Sequence, residues 1–480
     1  MAKPASTKPA SATKRIAYNT AVQTAGRVVV MFLGLASVAI LTRYLGADGY
    51  GKFTLALVYL SFFGIAADMG LFTIAVREMS RDESRMQEIV SNTLALRALL
   101  AVVVFSAAFG IGWLLPYTPD VKIAIGIAAG AQFFGLLNSA LISLFQTKLI
   151  MGRSVVADLV GRTFALGAVI AVAAMNLGFY AVVGTAVIGS FVTFLVSSLM
   201  IRKFVAFKLA FDVGLWKKLL KASIPYGAAL VILHLYLRSG IFMLSLMRTT
   251  AEVGIYGAVF KVYELVMAVP GFFNNSVFPV LVRRLKKGTA DANAMVQKVF
   301  DALVAGGAGV AAGGIVLAPQ IMQIVGGQEF ASGAGALQIV LVAILLSFAI
   351  FTFSTIFVAM GHQSMVLKVA SLGLVLNVAL NLALIPRYGI EGSAMATVIS
   401  EAIVFISYYW QARRKLGIRV SLRMVPRIFL AAAIMAAAIL PLKGAIWLAV
   451  PAGAALYGLL LLTFRVVTKD VLAELRPSRS

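Results

Sequence analysis

The stretch LTRYLGADGYGKFTLALVYLSFFGIAADMGL, residues 41–71, decides the fold of this 480-residue chain. Apolar residues dominate both of its flanks, and a short turn, GADGYGK at 46–52, separates them. Long apolar segments and short polar turns alternate along the whole sequence, of which 61% is hydrophobic and only 12% charged, with a mean hydropathy of +0.97. Soluble proteins carry about a quarter charged residues, and roughly 20 apolar residues cross a bilayer. The composition therefore excludes a soluble protein and predicts a chain of membrane-spanning helices.

The predicted fold class is an all-α polytopic membrane protein with about fourteen transmembrane helices. We expect these helices at 20–42, 53–76, 91–115, 122–146, 154–175, 180–201, 223–247, 255–277, 297–318, 335–360, 365–385, 391–411, 427–442 and 444–464. The predicted domains are a disordered basic tail (1–18), a six-helix N-lobe (19–202), a linker (203–222), a six-helix C-lobe (223–412), two further helices (413–466) and a second tail (467–480).

The basic residues predict the orientation of the chain. Six lie in the connections predicted to be external, namely Arg43, Lys52, Lys122, Arg248, Arg387 and Lys443. About thirty-one lie in the internal segments, mostly in 202–223, 283–288 and 413–427. By the positive-inside rule both termini are cytoplasmic, and the net charge of +24 sets topology rather than marking a nucleic-acid partner.

Two pairs of similar stretches predict an internal duplication. ADGYG (47–51) resembles AEVGIYG (251–257) at an offset of about 206, and GFYAVVGTAVI (178–188) resembles GIEGSAMATVI (389–399) at an offset near 211. Because an even number of helices separates the copies, both lobes are expected to have the same orientation in the membrane.

The sequence offers no sign of an enzyme, a cofactor or a resident metal. Its lack of cysteine excludes disulfides, zinc–thiolate sites and cysteine nucleophiles. GADGYGK matches a phosphate-binding loop in spacing, but Phe53 stands where a Ser or Thr would hold magnesium. We expect transport to be driven by Na⁺ or H⁺ coupling or by the membrane potential.

Four residues within the predicted helices indicate an internal route for an anion. A charge in mid-bilayer costs about 2.5–3.5 kcal/mol, so such residues face a cavity or a partner. Arg27, His234, Arg238 and Lys261 are the predicted cationic substrate-binding residues. Arginine suits phosphate because its planar fork donates two parallel hydrogen bonds. A histidine alone would more often have a packing role, and beside Arg238 the packing and binding roles of His234 are equally consistent with the sequence.

Further polar residues complete the candidate site. The candidate ion-coupling or cavity acids are Asp68, Glu264 and Glu401, and the candidate polar cavity residues are Gln23, Asn377 and Asn381. For some charged residues within the predicted helices, a purely structural role remains an alternative. Lys261 and Glu264, three residues apart, form an internal ion pair in one alternative. Arg97 and Arg162 extend to the cytoplasmic interface in another, with Asp158 as the partner of Arg162.

Four stretches carry a family resemblance. They are residues 41–71, REMSRD at 77–82, KASIPYGAALVILHLYLRSGIFMLSLM at 221–247 and AEVGIYGAVFKVYELVMAVPGFFNNSVFPVLVRRL at 251–285. Together they resemble the polysaccharide flippases of the multidrug/oligosaccharidyl-lipid/polysaccharide (MOP) exporter superfamily, in its Wzx-like branch. The likeness in layout covers most of residues 18–410.

This resemblance implies a V-shaped, monomeric carrier of two six-helix lobes in the bacterial inner membrane. Its expected activity is to move an undecaprenyl-pyrophosphate-linked oligosaccharide from the inner to the outer leaflet by alternating access. The implied partners are that substrate, membrane lipids and a glycan polymerase or glycosyltransferases. In the related lipid II flippases, a basic residue in helix one and a basic–acidic pair in helix eight line the cavity, and Arg27, Lys261 and Glu264 match those places. Gly240 stands where the family often has an acid, which predicts that Arg238 lacks a neutralising partner.

Three other functions remain as alternatives. A lipid II flippase differs mainly in its cargo, whereas a cation-coupled multidrug exporter is expected to use acidic and aromatic groups rather than basic ones. A membrane glycan polymerase needs a sizeable external loop with acidic groups. The longest predicted external connection, 319–335, carries Glu329 as its only carboxylate.

Overall fold

The structure is a computed structural model that describes residues 9–206, 208–285 and 289–466. Side chains are described for 25–206, 208–271, 278, 281–282, 284 and 293–466. The side chain of Gln23 therefore lies outside the described part. The predicted C-terminal tail (467–480) and residues 1–8 of the predicted N-terminal tail lie outside the described residues altogether.

Thirteen α-helices, and no β-strand, make up the regular structure of the described part of the chain, together with three short 3₁₀ turns. The helices are α1 Pro9–Asp68, α2 Leu71–Arg81, α3 Met86–Leu114, α4 Pro119–Thr147, α5 Gly152–Ala174, α6 Phe179–Ile201, α7 Val213–Met247, α8 Thr250–Leu285, α9 Thr289–Gly326, α10 Ala334–Ala359, α11 Gln363–Lys415, α12 Val425–Ile439 and α13 Ile446–Thr463. The 3₁₀ turns are Glu83–Arg85, Gln328–Gly333 and Leu440–Leu442.

Twelve helical segments of the described chain are long and apolar enough to cross a membrane. Two of them, Ala25–Arg81 and Gln363–Lys415, contain 57 and 53 residues. At about 1.5 Å per residue each is about 80 Å long, more than twice the hydrocarbon thickness of a bilayer. Each is interrupted by a glycine with non-helical backbone angles, Gly46 in α1 and Gly389 in α11. Counting each as two crossings gives fourteen, in agreement with the prediction.

Helix ends extend beyond the predicted spans. Helix α1 begins at Pro9 rather than at residue 20, and α7 begins at Val213 rather than at residue 223. Hydropathy marks the part of a helix that lies in the membrane, but backbone hydrogen bonding continues beyond that part. The predicted linker 203–222 therefore contains the first turns of α7.

The chain divides into two compact units. Among the described residues, the first contains those up to 45 and 52–234, and the second contains 46–51 and those from 235 onward. In the first unit α4 packs against α3 and α6, and α5 packs against α6. In the second, α10 is the most deeply buried candidate span and packs between α9 and α11. Helix α7 contributes to both units, because the division falls between His234 and Leu235.

The last two helices pack on α9 in the second unit. The hydroxyl of Tyr457 on α13 donates to the carbonyl oxygen of Ala305, 2.8 Å away. A Cβ at Gly309 would lie 2.5 Å from the Tyr457 ring, so this glycine allows the two helices to approach closely. Small residues thus serve helix packing here, as is common between membrane helices.

One pair of similar stretches adopts the same backbone conformation. Gly178 and Gly389 are the first residues of the two stretches 178–188 and 389–399. Both have positive φ, 83° and 56°, with extended ψ of −177° and −129°. Such angles favour glycine, and each glycine precedes a long helical segment. Gly46 and Gly327 have similar angles, so this conformation is not specific to the two stretches, and the duplication stays a prediction.

Candidate functional site

The second unit contains a cluster of two cations and one carboxylate, which we call the Glu264 cluster: Arg238 of α7 with Lys261 and Glu264 of α8. Lys261 Nζ lies 2.9 Å from Glu264 Oε2, and Arg238 Nη2 donates to Glu264 Oε1. The Arg238 guanidinium also lies over the ring of Phe260, 5.0 Å from its centroid. All three charged side chains are partly exposed. One carboxylate shared by two cations leaves the cluster net positive.

This arrangement corrects one prediction about Arg238. The glycine at position 240 led us to expect that Arg238 lacks a neutralising partner, which is wrong, because Glu264 pairs with it from the neighbouring helix. The ion pair between Lys261 and Glu264, which the sequence left as one alternative, is present.

The first unit contains a second group of two cations and one acid, which we call the Asp158 cluster: Asp158 and Arg162 of α5 with Arg27 of α1. Asp158 interacts electrostatically with both arginines, without a direct ion pair. Helix α1 approaches α5 closely at this point, since a Cβ at Gly26 would overlap the side chain of Val155. Arg27 and Arg162 are exposed and Asp158 is partly buried. Because it contains two cations and one carboxylate, this cluster is also net positive.

Asp68 lies in the first unit as the partner of a buried arginine. Arg97 Nη2 donates to Asp68 Oδ1, and Arg97 Nη1 donates to the hydroxyl of Ser139. The other carboxylate oxygen of Asp68 accepts from the backbone N–H of Gly70 at 3.2 Å. Arg97 is 0% exposed, so the alternative in which it extends to the cytoplasmic interface is wrong.

His234 and Arg238 lie one turn apart on α7, but their contacts lie in different units. In the first unit, His234 Nε2 lies 2.9 Å from the hydroxyl of Ser61, and its ring packs edge-on against Phe62. These contacts are those of a packed, hydrogen-bonded histidine.

Two of the remaining predicted residues, Asn377 and Glu401, line a cavity of about 20 Å³ in the second unit, and Asn381 contacts Asn377. Glu401, 5% exposed, accepts a hydrogen bond of 2.9 Å from the hydroxyl of Tyr236. Asn377 lines the same cavity, and its Oδ1 accepts from Ser239 Oγ and Asn381 Nδ2, both at 2.8 Å. The structure thus brings together three predicted polar residues, Asn377, Asn381 and Glu401.

A larger cavity, of about 320 Å³, lies in the first unit. The sequence did not predict it. Its polar lining consists of Gln132, Asn138, Asp158, Arg162, Ser190 and Thr193. Single polar residues in apolar helices are the only sequence signal for it, and such residues are common at helix interfaces. Among the described residues, no group of three or more His, Asp or Glu side chains is placed to hold a metal ion.

Solved structures of low sequence identity share this architecture. The lipid II flippase MurJ, in an inward closed conformation, matches with a TM-score of 0.78 at 14% identity, over 92% of this chain and 98% of that chain. An inward-facing multidrug resistance MATE family transporter of the MOP superfamily matches with a TM-score of 0.69 at 15% identity, over 83% and 98%. A MOP superfamily transporter from Pyrococcus furiosus matches with a TM-score of 0.58 at 15% identity, over 84% and 96%. None of the curated proteins compared with the chain matches it.

These likenesses define the class: the protein is a multi-pass membrane protein with the fold of the MOP superfamily transporters and flippases. The sequence pattern of the polysaccharide biosynthesis protein family matches residues 16–284, more than half of the chain. The chain belongs to that family. The predicted fold class is confirmed, and the family match confirms the predicted likeness to polysaccharide-type proteins.

Proposed function

We propose that the protein moves an undecaprenyl-pyrophosphate-linked oligosaccharide from the inner to the outer leaflet of the bacterial plasma membrane by alternating access. Membership of the polysaccharide biosynthesis family and the MOP transporter fold support a flippase. The observation that carries the choice of cargo is the charge of the two clusters, whose residues all lie within candidate membrane spans. Each contains two cations for one carboxylate.

The pyrophosphate is the part of such a substrate that is hardest to move through a bilayer. It is anionic, and an uncompensated charge in hydrocarbon is costly. The clusters offer guanidinium groups, which bind phosphate oxygens with two parallel hydrogen bonds, and an ammonium group. In this mechanism the pyrophosphate binds Arg27 first and then Arg238 and Lys261, while the prenyl tail stays in lipid.

The energy for outward movement has two candidate sources. An interior-negative membrane potential favours the exit of an anion by about 2.3 kcal/mol per charge per 100 mV. Glu401 is the buried carboxylate best suited to carry a returning proton or to bind Na⁺, because it lines a cavity with Asn377 and Tyr236. Asp68 suits this role less, because Arg97 and Gly70 already occupy its oxygens.

A lipid II flippase is the second candidate function. MurJ is matched over 92% of this chain, a larger share than the multidrug transporters match. Lipid II also carries a pyrophosphate, so the same clusters suit either cargo. A drug exporter for organic cations fits less well, because both clusters are net positive.

Reconstituted transport tests the proposal. Purified protein is placed in liposomes that hold undecaprenyl pyrophosphate-linked N-acetylglucosamine disaccharide or lipid II, and an added glycosidase or lectin reports glycan that reaches the outer leaflet. We expect Arg238→Ala to slow transport at least tenfold. Arg248→Ala is the matched control, because Arg248, which pairs with Glu252 at 2.8 Å, lies between two candidate spans.

The two probes separate the two candidates. Faster movement of lipid II than of the disaccharide lipid favours the lipid II function. A full transport rate in the Arg238→Ala variant contradicts the role of the Glu264 cluster. Movement of a labelled organic cation and of neither lipid contradicts the proposed function as a whole.

A further inference from the structure

The cavity of about 320 Å³ in the first unit lies among α1, α4, α5 and α6. Its size is at the lower end of the range for small-molecule sites, about 300–1,000 Å³. Small residues keep it open, because glycine and alanine from α4, α5 and α6 form much of its wall. This volume has room for one or two sugar rings.

Five polar side chains in this wall have unused hydrogen-bonding capacity. Gln132, Asp158, Arg162 and Ser190 form no hydrogen bond with any other described residue. The Oδ1 atom of Asn138, a side chain that is only 6% exposed, also has no partner there. Groups without partners in a membrane interior cost free energy, so most polar side chains in such a place are paired within the protein. Their convergence on one cavity indicates a polar ligand.

The chemistry of these groups fits a saccharide better than an anion or an apolar group. A sugar hydroxyl both donates and accepts hydrogen bonds, and this wall offers donors and acceptors together. Asp158 accepts, Arg162 donates, and the amides and the hydroxyl of Ser190 do both. The charges of Asp158 and Arg162 offset each other, so the wall itself attracts no net charge.

The cavity also adjoins a predicted phosphate-binding residue. Asp158 forms part of the cavity wall, and Gly26, the neighbour of Arg27 on α1, lies against Val155, three residues before Asp158 on α5. In a lipid-linked oligosaccharide the first sugar is bonded directly to the pyrophosphate. A pyrophosphate held by Arg27 therefore presents its first sugars to this cavity.

We propose that this cavity is the saccharide site of the carrier and binds the sugar units next to the pyrophosphate through Gln132, Asn138, Asp158, Arg162 and Ser190. The proposal rests on the proposed function and names which part of that substrate the first unit recognises. It makes the carrier selective for glycosylated lipids over the bare lipid pyrophosphate.

A cavity-filling variant tests the site. Gly135 lines the cavity, and a Cβ there would meet nothing within 4 Å, so Gly135→Leu fills the space without a backbone clash. Gly167 of α5 is the matched control, because a Cβ there also meets nothing within 4 Å and Gly167 does not line the cavity. Gln132→Ala removes one polar group and leaves the space open.

Binding is measured in nanodiscs by native mass spectrometry with two probes, undecaprenyl pyrophosphate and the same lipid carrying an N-acetylglucosamine disaccharide. We expect the unaltered protein and Gly167→Leu to bind the glycosylated lipid at least tenfold more tightly. Gly135→Leu should bind both probes equally, with its affinity for the bare lipid unchanged, and Gln132→Ala should show an intermediate preference.

The outcomes separate the two proposals. Equal affinity of the unaltered protein for both probes overturns the saccharide site and leaves the proposed function standing. An undiminished preference in Gly135→Leu overturns the site as well. Binding of neither lipid overturns the proposed function itself. If Gly135→Leu alters only the dependence of transport on Na⁺ or pH, the cavity holds a coupling cation and not a sugar.

Discussion

Arg97 is the largest fully buried side chain of the described residues, and it pairs with Asp68. Removing one partner of a buried ion pair leaves the other charge uncompensated and costs about 3–5 kcal/mol. We expect Arg97→Met to lower the free energy of unfolding by about this amount. Thermal unfolding in detergent, followed by intrinsic fluorescence, measures the loss as a lower unfolding temperature.

A double variant isolates the pair. Asp68→Asn with Arg97→Met removes both charges, and we expect it to recover part of the stability that Arg97→Met loses. Arg162→Met, at an exposed position on α5, serves as the control and should change stability little. If Arg162→Met destabilises as much as Arg97→Met, the buried ion pair is not the cause.

Glu401 offers a second prediction at this scale, because its buried carboxylate lines a cavity and accepts from Tyr236. Glu401→Gln keeps the volume and an acceptor oxygen but loses the ability to exchange a proton or balance a cation. We expect this variant to bind the lipid-linked disaccharide normally, while its transport no longer responds to an imposed pH or Na⁺ gradient. Transport in liposomes with and without each gradient measures the response.

The control for Glu401 is on the same helix. Glu391→Gln changes an exposed carboxylate of α11, and its transport should respond to the gradients as the unaltered protein does. A Glu401→Gln variant that keeps the full gradient response assigns coupling to another group or to the membrane potential alone.

At the scale of elements, the start of α8 crosses residues 47–51 closely within the second unit. A Cβ on Gly51 would overlap the carbonyl oxygen of Thr250, and one on Gly254 would overlap that of Ala47. Thr250 also donates a hydrogen bond to Asp48. We expect Gly254→Ala to cost about 1–3 kcal/mol by overpacking. Thermal unfolding measures the change.

Where a glycine has open space around its Cα, substitution by alanine should raise the stability instead of lowering it. A Cβ at Gly184 of α6 meets nothing within 4 Å, so Gly184→Ala should stabilise by up to about 1 kcal/mol through helix propensity. Stabilisation by Gly254→Ala as well would mean that the crossing is not close-packed in the membrane.

Helices were predictable from the sequence because the bilayer fixes their length and their apolar composition. The pairing between helices was not. Glu264 neutralises Arg238 from a neighbouring helix, and the sequence shows which charges share a helical turn but not which helices pack together. For the same reason, the burial of Arg97 and the convergence of Gln132 and Asn138 on one cavity became visible only in the structure.

On the scale of the whole molecule, the predicted duplication can be compared with the positions of the two charge clusters. Gly178 and Gly389 begin the two similar stretches with similar backbone angles, which Gly46 and Gly327 also adopt. Each unit also contains its own cluster of two cations and one carboxylate, yet the residues of the two clusters do not correspond in sequence. The predicted duplication therefore does not explain the two clusters. The same net charge in both clusters is expected if both serve one anionic substrate, as proposed above.

The last prediction concerns the orientation of the whole chain, on which the direction of transport depends. The protein has no cysteine, so single cysteines can be introduced without removing others. Thr118→Cys, between α3 and α4, lies on the predicted external side, and Gln363→Cys, at the start of α11, lies on the predicted cytoplasmic side. We expect a membrane-impermeant maleimide to label only Thr118→Cys in spheroplasts, and a permeant maleimide to label both. The reverse pattern would place the basic segments 202–223 and 413–427 outside the cell, against the positive-inside rule, and would reverse the proposed direction of transport.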